Sequence, residues 1–155
     1  MSLTSPSQRL PDPPEIDPSD DYESLAMDAC QLLSETDARF IISGFGQPEW
    51  PVDVSYDLSS VIEQLPAAID CLQQGRDARI DLYGQGVERC LLFAPAGVTV
   101  EIRCVSGTTW RPDPDVEVMP RVEVLKHLTD LASEFGAALR KAAPEVAALT
   151  PFARW

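Results

Sequence analysis

The segment from Ala78 to Val105 most constrains the fold, because three strand patterns follow one another there without interruption. Residues 78–83 alternate small or apolar residues with polar ones, and residues 88–93 and 98–105 are rich in apolar, β-branched and aromatic residues. Glycines, and in one case a proline, separate the three patterns and are typical of tight turns. The segment therefore predicts a three-stranded antiparallel meander whose apolar face needs a cover.

Amphipathic helices are predicted on both sides of this meander. Capping patterns begin one helix at Asp20, running to about residue 34, and another at Ser60, running to about residue 74. Pro66 argues against a regular second helix, because an interior proline removes a main-chain hydrogen bond. An apolar stripe predicts a last helix from about residue 120 to residue 141.

Two further strands are predicted ahead of the second helix. Residues 39–43 form a short apolar run, and residues 52–57 alternate strictly, with Asp53 and Asp57 on the polar face. The predicted fold class is α+β: an antiparallel sheet of about five strands, with a C-terminal three-stranded meander, packed against amphipathic helices. Residues 106–115 are expected to form an exposed loop.

The first 19 residues differ from the rest in composition. They contain five prolines and few apolar residues, so a flexible Pro-rich tail is expected at 1–19. The length of 155 residues suits one domain, and a single α+β domain is predicted over residues 20–155. Neither a basic, apolar signal peptide nor a membrane-length apolar run is visible, which favours a cytoplasmic location.

The charge balance restricts the partners of the chain. With 25 acidic and 12 basic residues, the formal net charge is −13. Such a charge repels phosphate backbones and anionic lipids, so we expect no nucleic-acid or membrane binding and favour a basic protein partner. The alternative is that the acidity serves solubility alone.

The residues needed for catalysis or metal binding do not converge in the sequence. The chain has one histidine, His127, predicted on the polar flank of the last helix, and its four cysteines are dispersed among apolar neighbours. Asp113, Asp115 and Glu117 alternate as in part of a calcium loop, but the required glycine and closing glutamate are missing. We therefore predict no enzymatic activity, no cofactor and no metal, with the cysteines as core thiols in a reducing compartment.

Carboxylates on the predicted strand at 52–57 leave two interpretations open. Residues 40–75 contain no lysine or arginine, and Asp53 and Asp57 would lie about 13 Å apart on one face, too far to act on one bond. Such a face is either solvated and paired with arginines, or a docking surface with aromatic anchors. The candidate partner-binding residues are Trp50, Asp53, Asp57, Asp81, Tyr83, Trp110, Asp113 and Asp115.

Three features together resemble a known group of proteins. They are Asp53-Val54-Ser55-Tyr56-Asp57 with the helix after it, the segment from Ala78 to Arg89, and Trp110 after the meander. Their order resembles that of the small acidic immunity proteins that bacteria encode beside polymorphic or contact-dependent toxins. The resemblance covers about half of the chain. It implies a non-enzymatic inhibitor that occludes the active site of a basic toxin domain, for example a nuclease.

A second class of binding protein is also compatible with the composition. Secretion or effector chaperones are commonly small, acidic and α+β, and they bind extended segments through apolar grooves, usually as dimers. The element order predicted here departs from that of the type III secretion chaperones. The sequence leaves the oligomeric state open between monomer and dimer.

Overall fold

Helices and short antiparallel strands follow one another irregularly along the chain. The computed structural model describes residues 1–13, 15–82, 86–150 and 152–155. The elements in chain order are β1 (Ser2–Thr4), α1 (Tyr22–Ser34), β2 (Arg39–Ile41), α2 (Asp57–Gln73), β3 (Ala78–Asp81), β4 (Arg89–Ala96), β5 (Thr99–Ser106), β6 (Val116–Pro120), α3 (Arg121–Ala142), α4 (Pro144–Ala147) and a 3-10 turn (Phe152–Arg154). Helices combined with antiparallel sheets confirm the predicted α+β class.

The larger sheet has four strands in the order β3-β4-β5-β6, each antiparallel to the next. The three strands predicted from the sequence correspond to β3, β4 and β5, but the fourth was missed because residues 112–120 contain three prolines. Alternation places Leu91 and Phe93 in the core and Leu92 on the outer face. The predicted hairpin turn at Gly84 and Gln85 lies outside the described residues.

A second, two-stranded sheet joins the chain start to the strand after α1. β1 pairs antiparallel with β2, and the amide of Leu3 donates to Glu134 Oε2 at 2.8 Å. Leu3 and Ile16 are buried in the core, so the prediction that residues 1–19 have little to bury is wrong. The prediction of one sheet of about five strands is also wrong, because β2 pairs with β1 and not with the larger sheet.

The predicted strand at 52–57 does not form. Residues 54–56 make a turn, and Asp57 is already the first residue of α2. Asp53 Oδ1 accepts hydrogen bonds from the Ser55 hydroxyl at 2.9 Å and from the Tyr56 amide at 2.7 Å. These local side-chain bonds satisfy main-chain donors that a strand would offer to a neighbour, so an alternating sequence becomes a helix start.

Helix α2 passes through Pro66 because another residue replaces the lost hydrogen bond. Proline has no N–H, so the carbonyl of Ile62, four residues earlier, receives nothing from position 66. The Tyr22 hydroxyl on α1 donates to this carbonyl at 2.7 Å. The hydrogen bond that Pro66 cannot make is thus replaced by a contact between α1 and α2.

The core lies between the inner face of the larger sheet and the helices. Trp50, Phe135 and Phe152 are among its largest fully buried side chains. Near the end of the chain, Phe135 packs edge-on against Phe152 at 5.7 Å and against Trp155 at 5.5 Å between ring centroids. These aromatic contacts anchor the C-terminal residues on α3.

Candidate partner-binding surface

Arg89 on β4 is a buried cation held between two tryptophans. Its guanidinium carbon lies 4.3 Å from the ring centroid of Trp50 and 3.5 Å from that of Trp110. Arg89 is only 4% exposed, and its Nε and Nη1 atoms have no hydrogen-bond partner among the described residues. Burial lowers the pKa of Arg89, but an arginine remains charged at every physiological pH. The charge of Arg89 is therefore removed from water and is stabilised by the faces of the two indole rings.

Asp57 is a buried carboxylate that joins two segments of the chain. Its Oδ2 accepts from the Asp53 amide at 2.9 Å, and its Oδ1 accepts from the Val87 amide at 3.3 Å. Burial raises the pKa of Asp57, while these two bonds and the charge of Arg89 act in the opposite direction. Asp57 is thus a structural acceptor for main-chain donors.

The predicted docking residues do not form one exposed face. Trp50 and Asp57 are buried, so the expectation that they lie on the surface is wrong. Trp110 is half-buried against Arg89, and Asp53 is exposed. Arg89, which contacts both tryptophans, was not among the predicted docking residues, because contacts across more than 20 residues leave no sequence pattern.

Of the remaining predicted residues, Asp81, Asp113 and Asp115 make contacts of their own. Asp81 is half-buried on β3 and forms an ion pair with Arg79. Asp115 pairs with Arg103 at 2.6 Å, and the Asp113 amide donates to the Phe45 carbonyl at 3.1 Å. Both Asp113 and Asp115 are exposed just before β6, and Tyr83 lies outside the described residues.

Carboxylates gather instead on α1, α2 and the turn between β2 and α2. We call Asp21, Glu23, Asp53 and Glu63 the acidic helical surface. Burial raises the pKa of Glu63, and the charges of Glu23 and Asp21 raise it further. Burial likewise raises the pKa of Cys30, with added contributions from Glu63 and Asp53. Glu23 and Asp21 thus lie close enough to Glu63 for their charges to repel it, and Glu63 and Asp53 both act on Cys30.

Two apolar side chains stand exposed beside these carboxylates. Tyr56 is 48% exposed, and its amide is bonded to Asp53. Met27 is 49% exposed and lies four residues after Glu23, hence on the same side of α1. Neither α1 nor α2 contains a lysine or arginine, so nothing within these helices neutralises the charge. The same absence of lysine and arginine holds in the sequence for residues 40–75 and for residues 22–34.

An open cleft crosses the outer side of the larger sheet beside α2. Its volume is about 540 Å³, and its lining is mostly small or apolar: Ala67, Ala68, Cys71, Ala78, Leu92, Phe93, Ala94 and Val116, with Asp77, Arg79, Glu101 and Arg103 at its polar positions. A cleft of this volume falls within the range of pockets that bind small ligands or short segments.

Within residues 1–13, 15–82, 86–150 and 152–155, no group of three or more metal-ligating side chains comes together. No helix in the described ranges is both long enough and apolar enough to cross a bilayer.

In its described residues the chain is an α+β protein with two antiparallel sheets. No family model, curated protein or solved structure matches the chain. Any function must therefore be argued from the chain's own residues.

Proposed function

We propose that this chain is a non-enzymatic immunity protein that neutralises a bacterial toxin by docking the acidic helical surface onto a basic domain. The observation that carries the proposal is the group of Asp21, Glu23, Asp53 and Glu63 on elements without basic residues. Clustered carboxylates speed association with a basic partner through long-range attraction.

The energetics support this assignment. Like charges held close together cost free energy in the isolated protein, and repulsion from Glu23 and Asp21 adds to burial in raising the pKa of Glu63. A basic partner would relieve the repulsion upon binding. Tyr56 and Met27 would supply the apolar contacts at which binding energy is usually concentrated.

The proposal is tested with the protein encoded by the neighbouring open reading frame. Co-expression of the full chain is expected to restore growth of cells that produce the neighbouring protein. Stopped-flow association of the two purified proteins should slow by about tenfold or more between low and high salt, because surface charges are screened. Failure to protect the cells, with both proteins folded and present, would exclude the immunity role.

A matched pair of variants separates local from overall charge. Glu23→Gln/Glu63→Gln removes two charges from the acidic helical surface, whereas Glu35→Gln/Glu88→Gln removes two exposed charges elsewhere. Only the first variant is expected to slow association several-fold. Equal slowing by both variants would mean that net charge alone, and not this surface, attracts the partner.

The cleft beside α2 favours a second candidate, an acidic secretion or effector chaperone. Its small and apolar lining suits an extended segment. Chaperones of this kind usually dimerise, so light scattering discriminates between the two functions. A monomer at all concentrations would count against the chaperone, whereas a stable dimer that binds unfolded effector segments would count against the immunity protein.

A further inference from the structure

Strand β6 leaves part of its main chain without a partner at the edge of the larger sheet. The Cys104 amide of β5 donates to the Asp115 carbonyl at 3.0 Å. Cys104 and Asp115 are therefore a hydrogen-bonded pair of the antiparallel ladder. Hydrogen-bonded and non-bonded pairs alternate along such a ladder, so the main chain of Glu117 bonds to β5. The amides and carbonyls of Val116 and Val118 point away from β5. In the described part of the chain, no protein group bonds these outward amides.

The side chains around this edge are unusually apolar for an exposed position. Val118 is 60% exposed on the outer face, and Val122, just after the strand, is also exposed. Proteins commonly protect an edge with charge, proline or a covering element. Here Pro120 ends the strand, but Val116 and Val118 keep their outward N–H groups.

The charges near β6 indicate which kind of strand fits. Asp113, Glu117 and Glu123 form no ion pair among the described residues, whereas Asp115 is neutralised by Arg103. Glu117 points to the inner side of the sheet, where its Oε1 accepts from the Phe45 amide at 2.6 Å. A residue opposite Glu117 on an added strand would be favoured if basic, since opposite charges on neighbouring strands attract.

There is also room beneath β6 for such a side chain. A cavity of about 100 Å³ lies under this edge, and its lining includes Glu117 and Met119 of β6, His127 of α3, the N-terminal residue Met1 and several apolar core residues. A strand beside β6 would direct alternate side chains toward this cavity and toward Val118 on the outer face. The inner position calls for a basic residue and the outer position for an apolar one.

We propose that β6 binds an extended peptide segment of alternating apolar and basic residues, which adds to the larger sheet as a fifth strand. Main-chain bonds to Val116 and Val118 would supply affinity, and Glu117 with Val118 would select the side chains. This site is separate from the acidic helical surface, so it goes beyond the proposed function.

The probe is a synthetic seven-residue peptide of alternating valine and lysine, blocked at both ends, added to the full-length ¹⁵N-labelled protein. Amide hydrogen exchange is followed by NMR. At saturation, exchange at Val116 and Val118 is expected to slow about tenfold or more. The amide of Glu117, already bonded to β5, should change far less. No protection at Val116 and Val118 would overturn the proposal.

Controls test each part of the inference. A peptide with prolines at alternate positions cannot pair, and a valine–glutamate peptide has the wrong charge, so neither should protect the edge. Val118→Lys should weaken binding of the valine–lysine peptide, whereas Val105→Lys, on the outer face of β5, should not. Equal binding of the glutamate peptide, or concentration-dependent protection without peptide from a second copy, would each contradict the proposal. Glu23→Gln/Glu63→Gln should bind the peptide normally, which separates this test from that of the immunity function.

Discussion

The indole of Trp110 covers the guanidinium of Arg89, with 3.5 Å between the ring centroid and the guanidinium carbon. Trp50 contacts the same group from a second side, at 4.3 Å between the same kinds of points. The two ring centroids are 6.2 Å apart at an interplanar angle of 61°, so Arg89 lies in the angle between them. The contact joins the turn after β2, strand β4 and the loop after β5 through one side chain. A charge buried with unbonded donors is tolerated there because both aromatic faces attract it.

Replacing this guanidinium with an ammonium should weaken the fold. Arg89→Lys keeps the charge but loses the planar group that stacks on the indoles, and we expect a loss of about 1–2 kcal/mol in the free energy of unfolding. Urea denaturation followed by tryptophan fluorescence measures it. Arg103→Lys, at an exposed ion pair, should change stability by less than about 0.5 kcal/mol. Equal losses in both variants would show that stacking contributes nothing.

The bond from Tyr22 to Ile62 predicts a coupling with Pro66. Tyr22→Phe leaves the Ile62 carbonyl without a partner and should cost about 1–2 kcal/mol. In a Pro66→Ala background the new N–H can bond to Ile62, so the same Tyr22→Phe change should cost clearly less. A double-mutant cycle from urea denaturation measures the difference. Additive effects would mean that the hydroxyl does not replace the missing helix bond.

Long apolar stripes and runs could be read from the sequence because burial imposes their period. Helix α3 was predicted within a residue or two. β4 was found because it is a run of apolar and aromatic residues, and β5 because β-branched residues recur along it. Strand β6 was missed because its Val-Glu-Val-Met alternation is short and lies among prolines. Residues 52–57 show the opposite error, since Asp53 and Asp57 bond to main-chain amides that a strand would have used elsewhere.

The candidate site was less predictable than the fold. Trp50, Asp57 and Trp110 were expected on the surface, yet both tryptophans stack on Arg89 and its charge acts on Asp57. Arg89 is distant from all three in the sequence. Burial of an aspartate or arginine depends on partners that the chain brings together only on folding. The acidity of α1 and α2, in contrast, is a property of composition and needs no contact to be recognised.

Asp57 should resist replacement by its neutral analogue. Asp57→Asn retains one acceptor oxygen but turns an amino group toward the amide of Asp53 or of Val87. One buried donor then loses its partner, and we expect a loss of about 1–3 kcal/mol in the free energy of unfolding. Asp70→Asn, on the exposed side of α2, serves as the control and should have little effect. An equally stable Asp57→Asn protein would contradict the structural role.

Glu63 should make stability depend on pH. Its pKa is raised in the folded state by burial and by Glu23 and Asp21, so the folded protein binds this proton more tightly than the unfolded chain does. Stability is therefore lost as pH rises through the window above the ordinary value of 4.5. Glu63→Gln should raise the thermal midpoint at pH 7. This gain should vanish as the pH falls below 4.5, the ordinary pKa of a glutamate. A gain that is independent of pH would exclude ionisation as its cause.

Tyr56 should determine how long the proposed complex lasts and not how fast it forms. Its side chain is 48% exposed beside Asp53 but carries no charge at neutral pH, so it cannot steer a distant partner. Tyr56→Ala should leave the association rate with the toxin unchanged and raise the dissociation rate about tenfold or more, as expected for an aromatic anchor. Val105→Ala, a similarly exposed change at 42% on the outer sheet face, is the control. Surface plasmon resonance separates the two rates. A dissociation rate unchanged by Tyr56→Ala would place the centre of the interface away from the acidic helical surface.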